Sequence, residues 1–273
     1  AARKAYEAVI ESVDSRVDFP RKPFVTVTAR LAQPSALRRI NAGSIARWKL
    51  PKAEVKRDIL HSHACDDVAG VAVALLAFER IVRISGLGHV SLLLTRSEEI
   101  GFVGAIGAAK SGIIPKSARL ICLETPRSFP YDSPVGGGPI VRVGDKTSVF
   151  SPGLTNQISA IAADCARRDP TFKYQRKLMA GGTCEATTFA AYGFPSACLC
   201  MPLGNYHNMQ DIDGVLAGRV PARIGREFIS IDDALGLIDL LELVARRLDA
   251  REVSGGHRPY MERLWKRLRR VVT

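Results

Sequence analysis

The chain has 273 residues, 47% of them hydrophobic and 24% charged. That is a globular composition at a length suited to one large domain or two modest ones, and it excludes intrinsic disorder and fibrous architectures. Thirty-nine Lys and Arg against 27 Asp and Glu leave a net charge of +12. The excess is spread along the chain with one cluster at the C-terminus, so it reads as a basic surface rather than a nucleic-acid module. The longest apolar run, Val68 to Phe78, closes with Glu79 and Arg80 and is short of a membrane span. Neither nucleic acid nor membrane is expected as a partner. Six cysteines (Cys65, Cys122, Cys165, Cys184, Cys198, Cys200) are scattered without CxxC pairs. Those inside apolar stretches read as small core residues, which predicts a reducing, cytoplasmic setting.

In chain order, residues 1–57 form an accessory segment. AARKAYEAVIE opens as a polar helical pattern over Ala5–Val13, not as a secretory signal. With no initiating methionine, the chain reads as a processed or trimmed product. FVTVTARLAQ suits a strand, Pro20, Pro23 and Pro34 punctuate the segment, and INAGSIARWKLP reads as a second strand and turn. This is too little material for a core of its own, so it is either an accessory layer or the remnant of a larger inserted lid or dimerisation domain.

Residues 58–252 alternate short apolar runs with helical patterns. Strands are predicted at 90–95, 118–124, 139–144, 172–179 and 195–201. Helices are predicted over Val68–Ile84, Phe102–Lys110, Gln157–Arg167, Ala186–Tyr192 and Asp232–Leu248. The alternation predicts an α/β catalytic domain: a mostly parallel sheet flanked by helices, with ligands beyond the carboxyl ends of the strands. Residues 253–273 begin with a glycine break. They continue as a basic amphipathic helix with Met261, Leu264, Trp265 and Leu268 on one face. That helix is expected to dock on its own domain with a solvated basic face, with a membrane-surface or acidic-partner role as the alternative.

The residues that follow strands carry the chemistry. Asp66-Asp67 follows RDILHSHAC, Glu98-Glu99 follows VSLLLT, Glu124 ends ARLICLE, and His207 follows PSACLCMPLGNY. Taken singly, each has an ordinary reading: a helix cap, an acidic helix start, a loop histidine. Together at one sheet edge, these carboxylates would repel one another and rise in pKa unless a cation neutralised them. Mixed carboxylate and imidazole donors suit zinc or another divalent first-row metal. Asp66, Glu98, Glu99, Glu124 and His207 can supply a bridging carboxylate, terminal ligands and a carboxylate left over as base.

At this point four segments, in the right order, resemble the zinc-dependent exopeptidases, above all the tetrahedral (TET-type) aminopeptidases and related dinuclear zinc aminopeptidases and deacylases. CDDVAGVAVAL is similar to DDRxGxAxAL, LTRSEEIGFVGA to TxQEEVGxxGA, and GGGPIV to a GxGP turn. GGTCEATTFAAYGFPSACLCMPLGNYHN is similar to GGTDAxxxxxxxxGIPxxxLxxPxRYxHS. The resemblance implies two divalent metals, zinc first, with cobalt or manganese as alternatives. It makes Asp66 the bridging ligand on a cis Asp66–Asp67 peptide and Glu98 the general base, with Asp67 beside it in the catalytic set. Glu99, Glu124 and His207 become terminal ligands, Glu124 standing where the tetrahedral enzymes have aspartate. Gly181, Gly182 and Thr183 would line the substrate cleft, with Glu185 in place of the aspartate of GGTDA. The family's first metal histidine lies in an upstream HxD, and the histidines here are His61, His63, His89, His207 and His257. Either His63 has taken that role or the ligand lies before Ala1. The missing spacer between Tyr206 and His207 and the extra residue in GGTCEA bear on substrate preference.

The resemblance thus implies a metallo-aminopeptidase acting on peptides, as a homo-oligomer. Two alternatives stand beside it: an N-acyl amide hydrolase of the same superfamily, and a non-catalytic binding protein on a degenerate peptidase fold.

Overall fold

The computed structural model describes residues 5–18, 21, 24–250 and 258–272. Pro20, Pro23 and the glycine break at 255–256 lie outside the described residues. The chain divides into two compact units, Ala1–Pro51 and Lys52–Thr273.

In the first unit, the segment expected to open as a helix is a strand. β1 (Ala8–Asp14) pairs antiparallel with β2 (Thr26–Leu31), with a register shift between Ile10 and Ser12. Val9, Ile10 and Val13 are β-branched, and a neighbouring strand overrides the weak local helical pattern. A 3₁₀ turn, Pro34–Arg39, follows, and the expected second strand over 40–51 does not form a ladder. Ala36 is the unit's one buried apolar residue among those described.

The second unit begins with β3 (Glu54–Lys56) and β4 (Ile59–Ser62), which with β11 (Glu227–Ser230) make an antiparallel sheet of order β11-β4-β3. The main sheet holds β5 (Leu120–Glu124), β6 (Ile140–Gly144), β7 (Gln175–Leu178) and β8 (Ser196–Cys200), in order β5-β8-β6-β7. β5–β8 and β6–β7 are parallel, and β6–β8 is antiparallel. β8 is buried along its whole length because helices cover both faces, which is why its sequence is unbroken apolar rather than alternating.

One face carries α1 (Cys65–Ile81), α3 (Pro152–Arg168) and α6 (Ile231–Arg247), whose Val73, Ile158, Ile161, Leu237 and Leu240 pack with Val141 and Leu199 of the sheet. The opposite face carries α2 (Val103–Ser111) and α4 (Glu185–Ala191), whose Ala105, Ala109 and Phe189 pack together with Phe194. Ile140, Phe150, Cys184, Cys198 and Cys200 form a neighbouring cluster. Each fully buried side chain of this size contributes roughly 1.5–3 kcal/mol. Asp233, in the first turn of α6, accepts the Gly136 and Gly138 N–H groups at 2.7 Å each, which ties the glycine-rich turn before β6 to that helix.

Two expectations fail here. Residues 90–95 pair with no strand among the described residues, and Leu93 and Leu94 are exposed. Their β propensity finds no partner strand to satisfy it. The basic C-terminal helix, α7 (Arg258–Leu268), forms as expected, but its apolar stripe is not buried as docking would require: among the described residues Met261, Trp265 and Leu268 remain about half exposed. No helix among the described residues is long and apolar enough to cross a membrane.

Candidate metal centre

Asp66 and Asp67 open α1 with a cis peptide bond between them and non-helical backbone angles. Their placement comes from the antiparallel sheet. Glu227, at the start of β11, accepts the N–H of Cys65 at 2.6 Å and that of Asp66 at 3.0 Å. Thr125, buried directly after β5, donates its hydroxyl to Asp66 Oδ1 at 3.0 Å. Asp67 accepts the Gly70 N–H at 3.0 Å.

The Glu98–Glu99 pair sits on a tight loop with Ser97 and Phe102 in the left-handed region. That loop closes because α2 starts against it. A Cβ at Gly104 would lie 2.2 Å from the Arg96 carbonyl oxygen, so only glycine lets its N–H donate to that oxygen at 2.9 Å. Glu124 ends β5. After β8 the chain bends through Asn205, His207 and Asn208, all at positive φ, and the Tyr206 ring stacks on the His207 ring at 3.9 Å. This irregular backbone aims the imidazole inward. His207 Nε2 lies 3.4 Å from Asp66 Oδ2 and 4.0 Å from Glu99 Oε1.

Ligand atoms of Asp66, Glu99 and His207 all fall within 4.8 Å of one another. They face a cavity of about 160 Å³ that is also lined by Glu98, Gly101, Phe102, Glu124, Thr183 and Tyr206. Burial, then the charges of Glu99, Glu185 and Asp66, push the Glu98 carboxyl up to about 7. Asp67 is pushed up to about 7 by burial and by Asp66. Glu124 lies well above the ordinary carboxylate range, through burial and then the charged groups around it. His207 is raised, chiefly by its contact with Asp66. Carboxylates gathered this closely favour a bound cation, and oxygen and imidazole donors match a divalent first-row metal. Glu185 adds an enclosed Oε1 with no hydrogen-bond partner, and burial raises its pKa.

The structure therefore brings together Asp66, Glu98, Glu99, Glu124, His207 and Thr183. His63 stands outside the three-residue cluster, and its backbone carbonyl accepts from Asn208 Nδ2 at 3.2 Å. Gly181, Gly182, Glu185 and Asp67 are not among the cavity's lining residues. Gly182 is held by the buried Arg142, whose guanidinium donates to its carbonyl oxygen at 2.9 Å and to that of Met179 at 3.1 Å. Glu227, Thr125, Tyr206 and Phe102 escape sequence reasoning. Tyr206 had a signal in its position beside His207; Glu227, a lone acid heading an apolar strand, had none that marked it out.

Fold and cavity define an α/β domain with a carboxylate–imidazole centre at its sheet edge. A family model described as M42 glutamyl aminopeptidase matches residues 22–217, and the chain belongs to that family. It is 26% identical over 193 residues to a putative aminopeptidase of Acetivibrio thermocellus, covering 68% of this chain and 56% of that protein. The chain thus spans little more than half the length of that curated relative. Among solved structures it is similar to the TET1 peptidase of Pyrococcus horikoshii, with a TM-score of 0.60 and 19% identity over 80% of this chain and 60% of that one. It is also similar to the aminopeptidase APDkam598 of Desulfurococcus kamchatkensis, with a TM-score of 0.58 and 22% identity over 88% and 68% of the two chains.

Proposed function

We propose that the protein is a metal-dependent aminopeptidase that removes residues from the free N-terminus of peptides. The observation that carries this reading is the convergence of Asp66, Glu99 and His207 within 4.8 Å, with Glu98 facing the same cavity. In it, Asp66, Glu99 and His207, with Glu124 from the same cavity, would hold the divalent cations, zinc first; His63 is left out of the set. Bound there, such ions supply Lewis acidity and lower the pKa of water toward neutrality. Glu98 takes the proton from the attacking water and hands it to the departing amine, for which its raised pKa suits it. Thr125 and Glu227 hold Asp66 from its side chain and its backbone. Thr183 forms part of the substrate wall, and Arg142 steadies the loop that presents it. Self-association belongs to the proposal, supported by the Pyrococcus horikoshii peptidase, described as assembling into a tetrahedron or a large octahedral shell. A cytoplasmic setting belongs to it as well, on cysteine usage.

The test uses zinc-loaded protein with paired substrates, alanyl and leucyl peptides carrying free or acetylated N-termini. Free-amine peptides should be cleaved and acetylated ones left intact. Glu98→Gln should lower the rate by roughly 10²–10⁴-fold while zinc stays bound. Equal cleavage of blocked peptides would favour an amide hydrolase instead. Full activity in metal-loaded Glu98→Gln would remove Glu98 from its role.

A further inference from the structure

A second cavity, of about 420 Å³, shares the Tyr206 wall with the acidic one. Its volume lies in the range of small-molecule pockets, roughly 300–1,000 Å³. Its lining is more apolar than its neighbour's. Pro130, Val135, Leu203, Met209, Ile212 and Phe228 line it, together with the polar Ser128 and Asn205, Asp211, whose carboxylate accepts the Gly214 N–H, and the charged pair Arg127–Asp213. That pair is closed on itself, with Arg127 Nη2 donating to Asp213 Oδ1 at 2.5 Å and the guanidinium lying 4.8 Å from the Phe129 ring. Neither charge is therefore offered to a ligand without breaking an ion pair. Access for the Phe228 ring depends on Gly204, where a Cβ would come within 2.0 Å of it.

The outer wall comes from the segment between His207 and Glu227. There β9 (Met209–Gln210) pairs antiparallel with β10 (Arg223–Ile224) around α5 (Ile212–Leu216). Asp211 caps α5 by accepting the Gly214 N–H at 3.0 Å, which fixes Ile212 at the cavity. The segment that delivers the imidazole therefore continues directly into the wall of an apolar chamber.

We propose that this chamber binds an uncharged apolar side chain of the peptide substrate, next to the bond being cut, and so sets side-chain preference. This rests on the aminopeptidase reading, because continuity through Tyr206 is what makes the occupant part of a peptide held in the acidic cavity.

The test uses zinc-loaded protein and two peptide series, one varying the first residue and one the second through Gly, Leu, Phe, Asp and Lys. At one of the two positions, Leu or Phe should exceed Gly in kcat/KM by at least about tenfold, with Asp and Lys disfavoured. Ile212→Asp should collapse that ratio, and the milder Ile212→Ala and Val135→Ala, which preserve packing chemistry, should reduce it. A ratio unchanged in all three variants, or a preference for Asp or Lys at both positions, would overturn the assignment. Binding of the same peptides to zinc-loaded Glu98→Gln reads the chamber without turnover. Apolar preference in binding with no hydrolysis by the parent protein would count against the hydrolase reading alone. Equal affinities across the series would sink the chamber.

Discussion

Glu227 accepts the backbone N–H of Asp66 at 3.0 Å, across 161 residues of sequence, and the same oxygen takes the Cys65 N–H at 2.6 Å. One carboxylate on an antiparallel strand thus sets the position of the residue at the heart of the cluster. Glu227→Ala would leave one buried and one half-buried N–H group without this acceptor, at a cost of about 1–3 kcal/mol for the buried one. We expect a fall in zinc affinity of about 10–100-fold, measured by competition with a chromophoric chelator. Glu227→Gln keeps the accepting oxygen and should restore most of the affinity. Equal affinity in the alanine variant would show that Asp66 is positioned by something else.

Gly104 lies inside α2, where alanine would ordinarily gain about 1 kcal/mol in helix propensity. Here the sign reverses, because an added Cβ would sit 2.2 Å from the Arg96 carbonyl oxygen and the obstacle is backbone. Gly104→Ala is expected to lose about 2 kcal/mol or more in urea unfolding. It should also weaken zinc binding, since the Arg96 backbone leads directly into Glu98 and Glu99. A stabilised variant would contradict the contact.

Asp145 is buried and accepts five hydrogen bonds, from the Thr147 N–H and hydroxyl, the Ser148 N–H, the Cys184 N–H and the Thr187 hydroxyl. Burial alone would raise its pKa, but these donors outweigh it and hold the carboxyl below its usual range. The stabilisation is present above the ordinary aspartate pKa and fades as pH falls through the lower folded value. Asp145→Asn, which turns one accepting oxygen into a donor, should cost about 3 kcal/mol by thermal or urea unfolding.

The metal-free protein should lose stability as pH rises. Glu98 and Asp67 titrate at about 7 when folded, against ordinary values of 4.5 and 3.8. The folded state therefore holds protons that the unfolded chain has released, and this advantage disappears as pH climbs through about 7. His207, also raised, acts in the same direction, whereas His61, lowered chiefly by burial, opposes it. Zinc should reverse the trend, giving a larger rise in Tm at pH 7.5 than at pH 5.5. Thermal melts with and without zinc at the two pH values check this. A metal-free Tm that climbs between them would contradict the crowding of carboxylates.

Much of the second unit was legible because its signals are local. α1, α2, α3, α4 and α6 lie within a few residues of their expected spans, and four of the five expected strands form. Those segments bury a face whose period survives in the sequence. Residues 8–14 and 90–95 misled for opposite reasons: a partner strand captures the first, while none pairs with the second.

The same divide runs through the cavity. Asp66, Glu98, Glu99, Glu124 and His207 were readable as donors because charged and imidazole groups that end or follow apolar runs are conspicuous. Glu227, Thr125 and the chamber behind Tyr206 were not readable, since their meaning lies in contacts between segments far apart along the chain. Residue type and spacing determined which groups have the chemistry to hold a cation. Tertiary structure alone decided which of them meet, because hydrogen-bond reach is a few ångströms in space and carries no fixed distance in sequence.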